Sequence, residues 1–146
     1  MNKTIAAIFI ITAILSGCQT ADETLTTSST PIAVTGATAS AIAGDMTSRL
    51  AEQVGPAGTT TLKMDKDTSE YAAALEAALK GWGYTVIADG KVGKDQKPVE
   101  VAWSIDSFDG QVLARISTPS IALGQAYMAT SAGATPASPL SIMQRN

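Results

Sequence analysis

The sequence predicts an α+β fold: a small two-layer sandwich of two helices packed on a mostly antiparallel sheet, with a C-terminal β-meander. Three observations support this prediction. Helical periodicity occurs twice before residue 82, alternating strand periodicity dominates after residue 98, and an Asp-Gly hairpin signal lies between two of the alternating segments. The 146 residues suit one domain, and we place it at residues 40–129.

The first helix is predicted to begin at Ser40. An apolar residue recurs every four positions from Ile42 to Val54, which is the pattern of an amphipathic helix, and Gly55-Pro56 ends it. Thr60 to Met64 then alternates as a short strand.

The second helix is predicted over residues 69–80. Asp67 lies three residues before Glu70, the spacing of a capping box with Asp in the first position. Gly81 and Gly83 end the helix and turn the chain back. A strand at residues 84–88 follows.

A charged, glycine-containing loop is predicted at residues 89–98, and the meander follows it. Val99 to Ile105 alternates apolar and polar residues, and Asp109-Gly110 marks a hairpin that returns through residues 111–117. A last strand is predicted at residues 120–128. Residues 130–146 are mostly Ala, Ser, Gly and Pro, and we expect a loose tail.

The N-terminal residues predict export and lipidation. Lys3 precedes a short apolar run from Ile5 to Leu15, which is too short to span a bilayer and is typical of a signal peptide, here residues 1–17. Cys18, the single cysteine, ends the segment Leu15-Ser16-Gly17-Cys18, which resembles the bacterial lipobox. In that motif a diacylglycerol is attached to the Cys thiol and the signal is cut before it. The acylated Cys18 would then hold the protein to a lipid bilayer; an uncleaved anchor is the alternative.

The position after the cysteine predicts where the anchor lies. Gln19 stands where an Asp often means retention at the inner membrane, so the sorting rule of enteric-type bacteria implies the outer membrane, facing the periplasm. Residues 18–39 are rich in Thr, Ser and Ala and show no periodicity, so we expect a flexible linker between the lipid and the domain.

Composition argues against several classes of function. The net charge is −3 with ten Lys plus Arg, which gives no footprint for nucleic acid. The chain has no His, so catalysis near neutral pH would lack its usual proton-transfer group. Phosphate-binding loops and nucleophile motifs are also missing from the sequence. We therefore expect no enzyme activity, cofactor, metal site or small-molecule substrate.

Two groups of carboxylates are candidates for a calcium site and for a catalytic acid/base pair. Residues 65–69 with Glu76 have the oxygen spacing of a calcium loop, but Glu70 occupies the position that needs glycine, and a helix cap explains the segment better. Asp106 and Asp109 could act as an acid/base pair in a hydrolase, with Glu100 as a further candidate. A hairpin turn explains the two Asp residues better.

Aromatic residues offer a third candidate. A sugar- or peptide-binding platform is possible, but their positions in apolar patterns favour core packing. The residues concerned are Tyr71, Trp82, Tyr84 and Trp103.

The assembled features resemble the TrbH family of conjugal transfer lipoproteins. The resemblance rests on the lipobox, the Thr/Ala-rich spacer, the helix Tyr71 to Tyr84 that leads into a strand, the segment from Gly110 to Ser117, and Leu123-Gly124-Gln125-Ala126-Tyr127. Relatives tend to have Arg where this chain has Gln125. The resemblance implies a non-catalytic part of a type IV secretion (mating-pair formation) apparatus for plasmid transfer, which contacts other transfer proteins.

Two other interpretations remain beside this one. The protein could be a periplasmic envelope-binding lipoprotein that recognises cell wall or an outer-membrane assembly partner, or it could be the carboxylate hydrolase above. For partner binding we expect either an exposed edge of the meander, through β-strand addition, or the Lys91–Lys97 loop.

Overall fold

The computed structural model describes residues 34–146, which form two helices, a short 3₁₀ helix and seven strands. In chain order these are α1 Gly36–Ala51, the 3₁₀ helix Ala57–Thr59, β1 Thr61–Met64, α2 Glu70–Gly81, β2 Thr85–Ile87, β3 Val99–Phe108, β4 Gln111–Ser117, β5 Ile121–Thr130, β6 Gly133–Pro136 and β7 Ser141–Gln144.

The seven strands form one sheet in the order β2-β1-β3-β4-β5, with β6 and β7 both paired to the outer side of β5. Strands β2, β1 and the start of β3 run parallel, whereas all pairs from β3 onward are antiparallel. We call the first group with α2 the parallel half, and β3 from Ala102 through β7 the antiparallel half. The α+β class, two helices and mostly antiparallel sheet predicted from the sequence are confirmed.

Both helices lie on one face of the sheet. Ile42, Met46 and Leu50 of α1 and the leucines of α2 are fully buried in a single core with the inward-facing residues of the strands. The rings of Tyr71 on α2 and Trp103 on β3 are 5.2 Å apart between centroids, so they join the helical layer to the centre of the sheet.

Helix α1 begins before the predicted Ser40, so part of the predicted linker belongs to the domain. Gly36 starts the helix with a φ of 56°, and Val34 is only 6% exposed. The helix starts early because its small residues lie against β6: the Thr38 hydroxyl donates a hydrogen bond to the Gly133 carbonyl (3.0 Å). Sequence periodicity missed this turn because alanine and glycine carry little apolar signal.

Residues 130–146 are not a loose tail, in contrast to the sequence prediction. β6 pairs with residues 127–130 of β5, and β7 pairs with residues 121–124. Between them, the Ser138 hydroxyl accepts a hydrogen bond from the Ala126 amide (2.9 Å). Backbone pairing therefore orders a segment whose side chains lack an alternating pattern.

The N-terminus of α2 differs in detail from the predicted capping box. Ser69 is the N-cap, and its hydroxyl accepts a hydrogen bond from the Ala72 amide (3.1 Å). Asp67 accepts one from the Ser69 amide (2.7 Å). Glu70 instead accepts a hydrogen bond from the Gly36 amide (2.6 Å), which ties the start of α1 to the start of α2.

Candidate interaction surface

The antiparallel half has one face that neither helix covers. Successive side chains of a strand point to opposite faces, and the buried set of β3, β4 and β5 faces the helices. The residues between them face away from the helices and form what we call the open face. Its members are Ala102, Ser104, Asp106 and Phe108 of β3, Gln111, Leu113, Arg115 and Ser117 of β4, Ala122, Gly124, Ala126, Met128 and Thr130 of β5, Thr135 of β6, and Ser141 and Met143 of β7.

The open face carries very little charge. Asp106 and Arg115 are its two charged residues, and the rest are small, uncharged polar or apolar. An antiparallel sheet with one solvated face usually alternates apolar inward with polar outward residues. Depletion of charge with Met and Arg present is instead the composition found at the centre of protein–protein interfaces. The open face is therefore a candidate interaction surface.

Arg115 lies near the middle of this face. It is exposed and pairs across the strands with Ser104 on one side and Gly124 on the other. A Cβ at Gly124 would lie 3.8 Å from Arg115 Cγ, so the arginine stem runs beside the glycine. Among residues 34–146, no hydrogen bond or ion pair within 4.0 Å engages its guanidinium.

A shallow groove of about 500 Å³ includes Arg115 and extends over β4, β5 and β7. Ser138 and Pro139, at the break between β6 and β7, form part of its wall, and Leu113 and Met143 supply apolar surface. The groove has space for side chains of a second chain beside the guanidinium.

The edge of the meander is not the strand that the sequence predicts. The predicted last strand, residues 120–128, corresponds to β5 (Ile121–Thr130), which is paired on both sides. The outer edge is formed by β6 and β7 instead, and on β7 Ile142 is 46% and Met143 63% exposed. A short edge strand with exposed apolar side chains is a template for pairing with another strand.

A polar cluster lies under the antiparallel half, between β5 and α1. The Tyr127 hydroxyl donates a hydrogen bond to the Asp45 carboxylate (2.7 Å) and lies 3.2 Å from Gln125 Oε1. Gln125 Nε2 donates to the Ser138 carbonyl (3.0 Å), and Arg49 Nε lies 3.7 Å from Asp45. Burial and the hydrogen bond to Asp45 raise the pKa of Tyr127, so this hydroxyl stays protonated and fixes α1 on β5.

Gln125, where the family resemblance led us to expect Arg, is only 5% exposed and belongs to this cluster. It faces the helices, whereas the neighbouring Gly124 faces away from them. The structure thus places the residue in the core layer and not on the open face.

The calcium-loop candidates lie at the C-terminal ends of β1 and β2. Asp65, Asp67 and Glu76 line a cavity of about 530 Å³ there, together with several lysines. Asp67 is engaged at the helix N-terminus, and Glu76 pairs with Lys80 (2.5 Å). Within residues 34–146 no three carboxylates are close enough to hold a metal ion.

The acid/base candidates lie on the β3–β4 hairpin. Asp109, with a φ of 51°, and Gly110, with a φ of 75°, form its turn, while Asp106 pairs opposite Leu113 on the open face. Glu100 is on the parallel half and forms an ion pair with Lys63 (3.4 Å). Asp109 is therefore explained by the hairpin turn, which requires a positive φ at this position and favours Asp-Gly.

The four aromatic candidates do not form a platform. Tyr71, Tyr84 and Trp103 are buried, as core packing predicts. Trp82 is 52% exposed because α2 ends at Gly81, so Trp82 no longer follows the apolar face of the helix.

Sequence reasoning missed Arg115 and Gly124. A signal was available: residues 110–146 contain no Asp or Glu. The remaining predicted site, Cys18, lies outside the described residues, and the Lys91–Lys97 loop is exposed. No helix within residues 34–146 is long and apolar enough to cross a membrane.

Comparison with known proteins assigns the family. The family model described as "Conjugal transfer protein TrbH" matches residues 20–146. A curated relative, "Probable conjugal transfer protein TrbH" from Sinorhizobium fredii (strain NBRC 101917 / NGR234), is 72% identical over 141 residues, which cover 94% of this chain and 95% of the relative. No solved structure matches the chain significantly. The resemblance stated from the sequence is thus confirmed, and the chain belongs to the TrbH family of conjugal transfer proteins.

Proposed function

We propose that this protein is a non-enzymatic lipoprotein of a conjugative type IV secretion (mating-pair formation) apparatus, anchored by acylated Cys18 to the outer membrane and facing the periplasm. Membership of the TrbH family over residues 20–146 carries the conjugation part of this proposal. The relative's printed name assigns conjugal transfer to that protein, and the high identity supports the same role here.

The anchor is supported by the N-terminal residues. A short apolar run followed by Leu15-Ser16-Gly17-Cys18 matches a lipoprotein signal, and the chain has no second cysteine with which Cys18 could form an internal disulfide. Because one acyl chain binds a bilayer only marginally, stable anchoring requires the two or three chains of a mature lipoprotein.

A structural role is supported by the domain. Its polar cluster under β5 holds helix to sheet, and its candidate carboxylates serve a turn, a helix end and an ion pair. The open face, by contrast, has the composition of a contact surface. Other transfer proteins are therefore the proposed partners, with no nucleic acid or small-molecule substrate.

The test is plasmid transfer from donors that lack this gene and carry it back in defined forms. We expect the deletion to abolish transfer, the wild-type gene to restore it, and Cys18→Ser to fail to restore it. Incorporation of an alkyne-tagged palmitate should occur in the wild type and be lost in Cys18→Ser. Gln19→Asp should move the labelled protein to inner-membrane fractions, whereas the control Gln19→Asn should leave it in the outer membrane.

Each part of the proposal can fail separately. Normal transfer from the deletion donor would contradict the conjugation role, and co-sedimentation of the protein with purified cell wall would then favour the envelope-binding alternative. Full rescue by Cys18→Ser, or labelling that survives this change, would contradict the anchor alone.

A further inference from the structure

We propose that the open face binds a segment of another transfer protein that presents a carboxylate, flanked by apolar side chains, to Arg115. This inference rests on the proposed function, because it takes the partner from the same apparatus. It adds the location of the contact and the chemistry of the partner.

Arg115 supplies the charge that selects the partner. It is the one cation on the open face, and no acceptor within residues 34–146 engages its guanidinium. Ser104 and Gly124 beside it are small, so the guanidinium is accessible from above the sheet. An arginine presents its donors in a planar fork that matches a carboxylate in two parallel hydrogen bonds.

The surroundings of Arg115 supply the apolar part of the contact. Leu113 and Met143 line the groove with it, and Met128 lies further along the same face. Arginine and methionine are enriched at protein interfaces. A few central residues contribute most of the binding energy when the surrounding contacts exclude water from them. A carboxylate that binds Arg115 here would be shielded from water, so its charge-assisted hydrogen bonds to the guanidinium would be stronger than at an exposed site.

Charge complementarity favours a different protein over a second copy of this chain. Residues 110–146 contain two arginines and no acidic residue, so a second copy would offer Asp106 as the sole carboxylate of its own open face. A two-fold contact between two such faces would also bring two Arg115 side chains towards each other. The flat face is also small for a stable contact of its own: four strands about 4.8 Å apart and about 24 Å long give roughly 450 Å². A stable interface needs about 800 Å² per partner.

A partner segment that crosses the face and continues along the free edge of β7 would bury more surface than the flat face alone. Ile142 and Met143 are exposed at that edge, directly beside the groove. The groove and the edge therefore form one continuous surface.

The experiment uses the full-length protein in donor cells that lack the chromosomal or plasmid copy of the gene. Arg115→Glu is expected to lower transfer by at least about 100-fold, because it replaces a charge-assisted pair by repulsion between like charges. Arg115→Lys keeps the charge but loses the paired hydrogen bonds of the guanidinium, so its transfer should lie between those of the wild type and Arg115→Glu. The matched control Lys66→Glu makes the same charge change at an exposed position after β1, away from the open face and from the Lys91–Lys97 loop, and should transfer as the wild type. Immunoblots of the membrane fraction confirm that all variants accumulate equally.

A second variant tests the face without touching the arginine. Gly124→Leu places a side chain beside the Arg115 stem, where a Cβ meets only an ordinary 3.8 Å contact, so the fold is retained while the groove is filled. A photo-crosslinking amino acid at Ser104 should then lose its adduct in both Gly124→Leu and Arg115→Glu. The same probe at Gln53, at the end of α1, is the control position.

Suppressor selection identifies the occupant. Starting from Arg115→Glu, restored transfer should arise from an acidic-to-basic substitution in another transfer gene of the plasmid, and the Ser104 adduct should return with that substitution. Suppressors confined to this gene, together with an adduct of twice the chain's mass, would show a second copy and overturn the inference.

Three further outcomes of the transfer assays would contradict the proposed contact or the proposed function. If Arg115→Glu and Gly124→Leu both transfer as the wild type while the gene deletion abolishes transfer, the open face is not the contact and the proposed function still stands. If Lys66→Glu lowers transfer as much as Arg115→Glu, net charge and not the open face explains the effect. Normal transfer from the deletion donor would instead contradict the proposed function itself.

Discussion

The two halves of the sheet carry different outer surfaces although they share one core. Residues 61–100, which build most of the parallel half, hold thirteen of the charged residues, and the Lys63–Glu100 pair lies across β1 and β3. Residues 110–146 hold two arginines and no acidic residue. The outer surface of the parallel half is thus rich in charge, as is usual for a solvated surface, whereas that of the antiparallel half is depleted of charge, as is usual at the centre of protein interfaces.

If the open face is the contact that we propose, stability and recognition are separated within this small domain. β3 belongs to both halves: it pairs with β1 at residues 99–101 and with β4 from Ala102 onward. Changes in the core beneath β3 should therefore disturb both halves, while changes on the outer surface should be felt in one half only.

The largest expected effect is at the junction of the halves. Trp103→Ala removes a buried ring that packs at a tilt against Tyr71, and we expect a loss of about 3–5 kcal/mol in the free energy of unfolding. Trp103→Phe keeps an aromatic ring and should cost clearly less. Urea unfolding followed by circular dichroism measures both. Two separate unfolding transitions in Trp103→Ala would contradict the conclusion that the two halves share one core.

A smaller effect on stability is expected at two buried tyrosines, Tyr71 in the parallel half and Tyr127 in the antiparallel half. Tyr127→Phe removes the hydrogen bond to Asp45 and should cost about 1.5–3 kcal/mol, as for bonds to charged groups. Tyr71→Phe removes a hydroxyl that has no partner within residues 34–146, so it should be neutral or stabilising. Equal losses from the two changes in urea unfolding would contradict this contrast.

The same tyrosines predict alkaline sensitivity. Burial raises the pKa of both hydroxyls in the folded state, and Asp45 raises that of Tyr127 further. The fold therefore favours the protonated forms, so its stability is at its full value below the unfolded-state pKa of about 10 and falls as the pH rises above it. Tyr71→Phe combined with Tyr127→Phe should flatten the fall in stability above pH 10, which thermal melts at increasing pH would show.

Two glycines of the antiparallel half should respond in opposite directions. Gly133 has a φ of 149°, and a Cβ there would lie 3.0 Å from Ala41 Cβ, so Gly133→Ala should cost about 1–3 kcal/mol. Gly124 has no such constraint, and Gly124→Ala should stabilise by up to about 1 kcal/mol because it restricts the unfolded chain. A loss of stability in Gly124→Ala would show that the open face is tighter than the structure indicates.

The smallest effect is expected on the outer surface of the parallel half. Glu100→Gln breaks the exposed pair with Lys63, and such pairs contribute about 0–1 kcal/mol. We expect little change in the unfolding midpoint and unchanged plasmid transfer. A marked loss of transfer would mean that the parallel half also contacts partners, and the contrast between the halves would have to be withdrawn.

Sequence reasoning reached most of the fold because the helices and the long strands carry strong periodic signals. The apolar spacing from Ile42 to Leu50 and the alternation in β3 each reflect burial of one face. It missed β6 and β7 because these strands have four residues each and are ordered by backbone pairing to β5, which leaves no alternating pattern in the side chains.

The candidate surface was harder to predict than the fold. That Arg115 and Gly124 are neighbours depends on the register of β4 against β5, and that their face is uncovered depends on both helices lying on the other side. Neither fact follows from local sequence. Lipidation of Cys18 is the reverse case: a local motif predicts it, and it remains a prediction.

The contact between α1 and β6 has a consequence for the order in which the domain can form. Thr38 and Gly133 are 95 positions apart in the chain, yet they share a hydrogen bond. A contact between such distant segments cannot form until both segments have been synthesised. If the precursor is exported N-terminus first, as the proposed signal peptide implies, the domain can therefore be completed only after residue 133 has emerged.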